Sequence, residues 1–195
     1  MRYNLSEITD VIEDRRTIFP EQFSKRKVHR EIIEKLLNVA RWAPTHKLTQ
    51  PWKFSVFREE GLNRLSEFQS QTYSQITPED KFSERKFLKL KERPLKSSAV
   101  IFVTMSPDPD RRVPEIEEIA SVAAAVQNMS LLATAYGLGF YWSSGGLTYR
   151  DELKEFLNLE ESDKVMGTIY VGYPDIDWPR KTPRKPIEYF THWEE

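Results

Sequence analysis

The run AVIFVTM, residues 99–105, decides how the fold is interpreted, because Thr104 is its only polar residue. A short, continuous apolar run is typical of a central strand that is buried on both faces. Residues 106–114 contain three prolines and predict a loop, and the largely apolar residues 115–136 predict a long helix. Because so apolar a helix needs cover on all sides, we expect it to be central and to be shared with a second subunit.

The remaining elements follow from the spacing of apolar residues along the chain. Helical spacing predicts helices at residues 5–15, 28–43, 62–69, 80–92 and 151–157. Shorter apolar segments predict strands at residues 52–56, 139–142 and 164–171. The polar residues 70–78 are interpreted as a mobile loop, and the proline-rich, basic residues after Pro174 as an extended tail.

Helices and strands do not alternate regularly enough along this chain for a doubly wound sheet. We therefore expect an α+β fold with one central mixed or antiparallel sheet, flanked by helices and followed by the extended C-terminal tail. The chain has no internal repeat and no linker-like segment, so residues 1–195 are expected to form a single domain.

Composition excludes several classes of function. The formal net charge is -1, which argues against binding to nucleic acid or to an anionic membrane surface. No apolar run approaches the roughly 18 residues of a membrane span, and the N-terminus lacks a signal-peptide pattern, so a cytoplasmic location is expected. There is no cysteine, and the three histidines are far apart, so neither a disulfide nor a metal site is expected. Redox chemistry would require a bound cofactor.

Three separated motifs have the chemistry to contact such a cofactor: RRT at residues 15–17, APTHKLTQPW at 43–52 and GFYWSSGG at 139–146. Paired arginines followed by a hydroxyl suit a phosphate, and a proline-bounded polar loop presents hydrogen-bond donors. Small residues beside an aromatic ring let the main chain approach a flat molecule closely. Each motif also has a purely structural interpretation: a solvated helix end, a surface loop and a turn after a strand.

A dinucleotide fold of its own is not expected in this chain. Six of the seven glycines fall between Gly137 and Gly172, and none forms a Gly-x-Gly-x-x-Gly motif or a Walker loop. A nicotinamide donor would then have to reach the cofactor directly.

Taken in this order, the three motifs resemble the nitroreductase family of FMN-dependent oxidoreductases, especially its short, minimal branch. Larger members carry Pro-Ser-Ser-x-Asn-x-Gln-Pro-Trp where this chain has PTHKLTQPW at residues 44–52. The resemblance implies that Arg15 and Thr17 contact the FMN phosphate, that Arg16 contributes main-chain or flavin-edge contacts, and that Arg184 closes the phosphate site. It implies further cofactor contacts from Trp42, Thr45, His46, Trp142, Ser143, Ser144 and Gly145.

The resemblance also implies a nitroreductase-like fold and a homodimer, in which the loop around His46 reaches the flavin held mainly by the other subunit. NADH or NADPH would give hydride to flavin N5, and a nitroaromatic, a quinone or an activated alkene would then accept the electrons. No side chain is expected to act as a catalytic acid or base.

Two further residues depart from the family pattern. Phe19 stands where many longer members have a lysine near the flavin pyrimidine, so the positive charge there must come from Arg16, Lys47 or Arg93. Ser143 replaces an arginine that is present in some short members. Because of the first departure, a non-catalytic flavin-binding or regulatory protein with the same fold is the alternative hypothesis.

Overall fold

The computed structural model describes residues 3–195, and within them the chain forms six α-helices and four β-strands. The helices are α1 (Leu5–Asp14), α2 (Arg30–Ala40), α3 (Glu60–Ile76), α4 (Glu84–Lys96), α5 (Glu115–Ala135) and α6 (Asp151–Phe156). The strands are β1 (Trp52–Phe57), β2 (Ala99–Met105), β3 (Gly139–Ser143) and β4 (Lys164–Gly172). None of the helices within residues 3–195 is both long and apolar enough to cross a membrane.

The four strands form one antiparallel sheet in the order β1-β2-β4-β3, which confirms the predicted α+β architecture. Every residue of β2 is buried, as its continuous apolar run predicts. The pairing of β2 with β4 shifts between Val103 and Thr104, where Val103 lies opposite Gly167 and Thr104 lies opposite Val165. This irregularity bends β4 beside the end of β3, the strand that carries the third motif.

Helices cover both faces of the sheet. On one face α2 and α5 pack against the sheet, with Leu36 and Met129 contributing to the same buried cluster as Ile101. On the other face Leu65 of α3 and Leu153 of α6 pack against alternate residues of the strands. Because successive side chains of a strand point to opposite faces, β2 contributes to both clusters.

The prediction that the long apolar helix is buried on every side is wrong for the single chain. Val122 and Met129 of α5 are buried, but Ile116 is 71% exposed and Ala135 is also exposed. The α1 helix lies along α5, is capped by the Asn4 side chain and has no buried residue of its own. The sheet and α2 therefore cover one side of α5, and an apolar surface remains open on the other.

Several predicted element boundaries are also wrong, including the fourth helix, which runs over Glu84–Lys96 and not over residues 80–92. The second helix ends at Ala40 rather than at residue 43, because the chain continues in a tight turn with Ala43 N–H donating to Ala40 O. Residues 70–76 continue α3 instead of forming a mobile loop. There the Ser70 hydroxyl donates to Ser66 O, and the buried Tyr73 hydroxyl accepts from the Ser83 N–H at the start of α4.

Candidate functional site

A cavity of about 350 Å³ lies between the end of α1 and the C-terminal tail. Four basic residues line it together with Ile12, Glu13 and Thr182, and the basic residues are Arg15, Arg16, Lys181 and Arg184. The first motif and the basic tail, which lie at opposite ends of the sequence, therefore meet at one site. Thr182 was missed in the sequence analysis, although it lies within the basic, proline-rich run that was singled out there.

Three contacts fix the tail against the end of α1. The indole N–H of Trp178 donates to Asp14 O at 2.8 Å, and Arg16 Nε donates to Arg180 O at 3.0 Å. Lys181 Nζ lies 2.7 Å from a Glu13 carboxylate oxygen, and this hydrogen bond raises the pKa of Lys181. The tail is thus an ordered wall of the cavity.

The two outer arginines of the cavity have guanidinium groups available for a ligand. Within residues 3–195 the Arg15 guanidinium has no hydrogen bond or ion pair, and Arg184 only donates to the carbonyls of Thr182 and Pro183. Arg16, by contrast, also donates to the carbonyls of Glu13 and Arg15, so its side chain is engaged in structure. A terminal phosphate fits the donors that remain: the whole Arg15 guanidinium, the Arg184 nitrogens that the two carbonyls do not use, and Thr182.

The segment after the first motif joins this cavity to the third motif. Ile18 N–H donates to Phe140 O of β3 at 3.4 Å, and Ile18 itself is fully buried. Thr17 is exposed and does not line the cavity. The contact between its hydroxyl and the FMN phosphate therefore stays a prediction. β3 therefore runs from the neighbourhood of the basic cavity toward Ser143 and the turn that follows it.

The end of β3 is shaped by a glycine on the neighbouring strand. Gly167 has φ +146°, and a Cβ placed on it would lie 2.2 Å from Trp142 Nε1. The indole of Trp142 therefore packs directly on the β4 backbone, and only glycine allows this approach. Beyond it the Ser143 hydroxyl accepts from Gly145 N–H at 3.3 Å, while Ser144 and Gly145 are exposed.

An aromatic and charged cluster borders the same strand. The rings of Phe19 and Tyr141 have centroids 4.8 Å apart, and the Arg93 guanidinium lies 5.3 Å from the centroid of Tyr141. Arg93 is held by Glu21, with Nε 2.7 Å from the carboxylate. Burial raises the pKa of Glu21, but the hydrogen bond and the charge of Arg93 outweigh it and lower the pKa overall. Of the three proposed sources of positive charge, Arg93 shares a neighbour with Phe19, since both contact Tyr141.

The loop that carries His46 packs on the other end of the molecule. His46 Nδ1 lies 2.6 Å from a carboxylate oxygen of Glu117 in the first turn of α5, and the Thr45 hydroxyl accepts from Gln50 N–H. Lys47 and Leu48 have φ values of 50° and 55°, which are costly for residues other than glycine. Such strain, of about 1–3 kcal/mol per residue, is concentrated at functional sites in proteins.

This loop is also tied to the segment that precedes α5. Lys47 Nζ donates to Arg112 O, and the Arg112 guanidinium makes a two-pronged contact with Asp108, at 2.8 and 2.7 Å. The hydrogen bond from the Arg112 side chain lowers the pKa of Asp108 to about 2. The charged Asp108 side chain therefore helps to fix the segment before α5, against which the His46 loop packs.

Within one chain, the His46 loop lies far from the basic cavity along α5. His46 contacts Glu117 at the start of α5, whereas Ile12, which lines the basic cavity, lies beside Leu132 near the end of that helix. At 1.5 Å per residue these two positions are about 22 Å apart along the helix axis. Trp42, predicted to line the cofactor site, is 80% exposed and lies in the same apolar groove as Ile12 and Leu132.

Comparison with known proteins gives one consistent result. The model of the nitroreductase family matches residues 12–173. The chain is 28% identical over 187 residues to the Bacillus subtilis protein named "Putative NAD(P)H nitroreductase YfhC", covering 93% of this chain and 91% of the relative.

Solved structures agree with this result. A nitroreductase-like protein from Bacillus cereus superposes with a TM-score of 0.80 at 31% identity, covering 100% of this chain and 98% of the other. The FMN-dependent nitroreductase NfnB from Mycobacterium smegmatis, solved with NADPH, has the same fold, with a TM-score of 0.76 at 19% identity. That comparison covers 98% of this chain and 100% of the other chain.

Proposed function

The chain belongs to the nitroreductase family, and from this premise we propose that it is an FMN-dependent oxidoreductase with NADH or NADPH as the electron donor. Residues 1–195 form one nitroreductase-like domain, and two copies of the chain form a homodimer with two cofactor sites. The acceptor is a small, flat molecule such as a nitroaromatic, a quinone or an activated alkene.

The observation that carries this proposal is the cavity lined by Arg15 and Arg184. Within residues 3–195 only Lys181 of the four basic side chains pairs with a carboxylate, so the other three cations repel one another and the uncommitted Arg15 guanidinium can take an anionic partner. A phosphate supplies that partner, because its oxygens accept charge-assisted bonds from both arginines and from Thr182. The cavity suits one terminal phosphate, and the chain lacks a glycine-rich loop for a pyrophosphate, which favours FMN over FAD.

When bound, FMN would supply the transfer of hydride from the nicotinamide and of electrons to the acceptor. The chain's own groups bind and orient the reactants. Arg15, Arg184 and Thr182 hold the phosphate, and the main chain at Ser144 and Gly145 borders the ring. No general acid or base is assigned, because the protein's contribution is binding, orientation and electrostatics.

We assign the positive charge beside the flavin pyrimidine to Arg93. Arg16 is engaged by carbonyl groups, and Lys47 donates to Arg112 O at the far end of α5. Arg93 lies against Tyr141, which also contacts Phe19, and it is kept in place by Glu21. This arrangement supports a catalytic role over the non-catalytic alternative, since a cation near the cofactor favours its more negative, reduced form.

The site is completed by the second subunit. The distance between the His46 loop and the basic cavity along α5 supports an arrangement in which each loop serves the partner's cofactor. The exposed apolar faces of α1 and α5 supply a reason to associate.

Cofactor identity tests the proposal first. The purified protein should be yellow, and chromatography of the heat-released cofactor should identify FMN. The apo form should regain its absorption spectrum with FMN but not with FAD. Recovery of FAD alone, or an apo form that FMN does not restore, would overturn the assignment.

A mixed dimer tests the shared site. One subunit carries Arg15→Ala, and the other carries His46→Glu, which opposes the Glu117 carboxylate. If sites are shared, one site of each mixed dimer has both lesions and the other has neither, so isolated mixed dimers should regain half of the wild-type FMN binding. Mixed dimers that bind no better than their parents would contradict a shared site.

A further inference from the structure

A second cavity lies beside the third motif and takes no part in the proposed cofactor contacts. It has a volume of about 280 Å³ and shares no lining residue with the basic cavity. We call it the Tyr149 cavity, and the residues that matter most for its chemistry are Thr148, Tyr149, Asp151, Lys154, Val165 and Met166. Ligand pockets usually have volumes of roughly 300–1,000 Å³, so this one suits a part of a larger molecule rather than the whole.

Two contacts join the Tyr149 cavity to the third motif. The buried Thr148 side chain donates its hydroxyl hydrogen to Gly145 O at 2.7 Å. On the neighbouring strand, Met166 precedes Gly167, and the Trp142 indole packs on the backbone of that glycine. Because the third motif borders the flavin ring in the proposed function, a molecule that reaches the ring can extend into this cavity.

Tyr149 provides an open aromatic surface in this cavity. It is 75% exposed, and within residues 3–195 it makes no hydrogen bond and no ring contact. Val165 and Met166 add apolar side chains to the same lining. Aromatic side chains stack on nucleobases, because every base has a flat face that such a ring can cover. The lining therefore favours a flat heterocycle such as adenine.

Much of the charge in the cavity is already paired. Lys164 Nζ lies 2.6 Å from a Glu115 carboxylate oxygen, and the buried Asp163 carboxylate lies 3.0 Å from Lys53 Nζ. These two pairs contribute no net charge, so the charges of the remaining lining residues decide which ligand is accepted.

The remaining charged residues of the cavity are Asp151 and Lys154 of α6. Within residues 3–195 the Asp151 carboxylate has neither a hydrogen bond nor an ion pair, whereas Lys154 Nζ donates to Glu161 O at 2.7 Å. Their charges cancel, and no arginine from the described part of the chain lines the cavity. In nucleotide sites an acidic residue accepts from the ribose 2′-hydroxyl of NADH, whereas an arginine accommodates the 2′-phosphate of NADPH. The free carboxylate therefore favours an unphosphorylated ribose.

We propose that the Tyr149 cavity binds the adenosine half of the electron donor, with Tyr149 stacked on the adenine and Asp151 accepting from the ribose hydroxyls, and that the donor is NADH rather than NADPH. This inference rests on the proposed function and names its donor. The chain has no Gly-x-Gly-x-x-Gly motif, so the adenosine half needs a surface close to the flavin, and this cavity supplies one.

Three donors separate the adenosine contact from hydride transfer: NADH, NADPH and reduced nicotinamide mononucleotide, which lacks the adenosine half. The kcat/KM of the holoprotein is measured for each donor with a quinone as acceptor. Tyr149→Ala should lower the ratio of kcat/KM for NADH to that for reduced nicotinamide mononucleotide by roughly 5- to 100-fold, the range expected for one stacked base. Tyr136→Ala, at a partly exposed tyrosine outside the cavity, is the control and should keep the wild-type ratio.

A second pair of variants tests the choice of donor. Wild type should prefer NADH, and Asp151→Arg should shift the ratio of the kcat/KM values for NADH and NADPH toward NADPH by about tenfold or more, because the new guanidinium can pair with the 2′-phosphate. Glu155→Arg makes the same change of charge at an exposed position of α6 outside the cavity and should keep that ratio near wild type.

Calorimetry with ADP-ribose measures the adenosine contact without a redox step, and Tyr149→Ala should bind ADP-ribose about fivefold or more weakly than wild type. Equal binding by the two proteins would overturn the adenosine site. A wild type that prefers NADPH, or variants at Tyr149 and Asp151 that keep both wild-type ratios, would also overturn it and leave the proposed function standing. A flavin that none of the three donors reduces would overturn the proposed function together with this inference.

Discussion

Arg15 and Arg184 line one cavity, although Arg15 follows the first helix and Arg184 lies in the tail near the end of the chain. Neither guanidinium is neutralised by a carboxylate within residues 3–195, whereas Lys181 between them pairs with Glu13. The tail therefore carries part of the candidate cofactor site, and its anchoring by Trp178 is part of how that site is formed.

Removing the Arg15 guanidinium should weaken FMN binding. A charge-assisted hydrogen bond contributes about 1.5–3 kcal/mol, so Arg15→Ala should raise the FMN dissociation constant by roughly one to two orders of magnitude. Titration of the apo protein with FMN measures this, and Arg85→Ala, which changes an exposed arginine of α4, is the matched control. Equal constants for Arg15→Ala and the control would show that the phosphate binds elsewhere.

Arg93→Gln should make the bound flavin harder to reduce, because the variant keeps a polar side chain but loses the positive charge. A loss of about 1.4 kcal/mol corresponds to a fall of about 30 mV in a two-electron potential. Redox titration of the holoprotein gives the value, and Arg93→Lys should remain close to wild type. An unchanged potential in Arg93→Gln would assign the charge to another residue.

Gly167→Ala should destabilise the fold near Trp142. The new Cβ would lie 2.2 Å from Trp142 Nε1 at a φ of +146°, so strain and overpacking together predict a loss of about 2–4 kcal/mol. Gly61→Ala is the matched control, since its nearest neighbour would be an ordinary 3.7 Å away in Phe57. Its stability should be unchanged or raised by up to ~1 kcal/mol, because Gly61 lies within α3. Urea unfolding compares them, and equal stability of both variants would contradict the close packing of Trp142.

Asp108 should contribute to stability in a defined acidic window. Arg112 lowers its pKa from 3.8 to about 2, so the folded state favours the charged carboxylate. That contribution is complete above pH ~4 and is lost as the pH falls toward about 2. The difference in urea midpoint between wild type and Asp108→Asn should therefore shrink over this range. Asp110→Asn, at an exposed neighbour, should show no such trend. If the urea midpoints of wild type and Asp108→Asn changed in parallel with pH, Asp108 would make no pH-dependent contribution to stability.

The elements that sequence predicts best are those whose pattern is dominated by burial. β2 was predicted with its observed bounds, and α5 to within one residue, because both are apolar over their length. Residues 70–76 were missed because their polar side chains satisfy their hydrogen bonds inside the packed helices α3 and α4, as Ser70 does. No periodicity of apolar residues reveals such a segment.

The site was predictable to the extent that its chemistry is local. Arginines and a basic tail are compatible with an anion, and the resemblance to the nitroreductase family selected Arg15 and Arg184 among them. The separation of His46 from them, and the contact of Arg93 with Tyr141, depend on how α4 and α5 pack, so only the three-dimensional structure could give them.

The most direct test of the central claim is the anaerobic addition of NADH or NADPH to the purified protein with its natural cofactor, followed by absorbance. The account predicts that the yellow colour is lost in proportion to the donor added and returns when a quinone or nitroaromatic is supplied. A flavin that keeps its colour with both donors, in protein that binds FMN through Arg15, would contradict an oxidoreductase and establish the non-catalytic alternative.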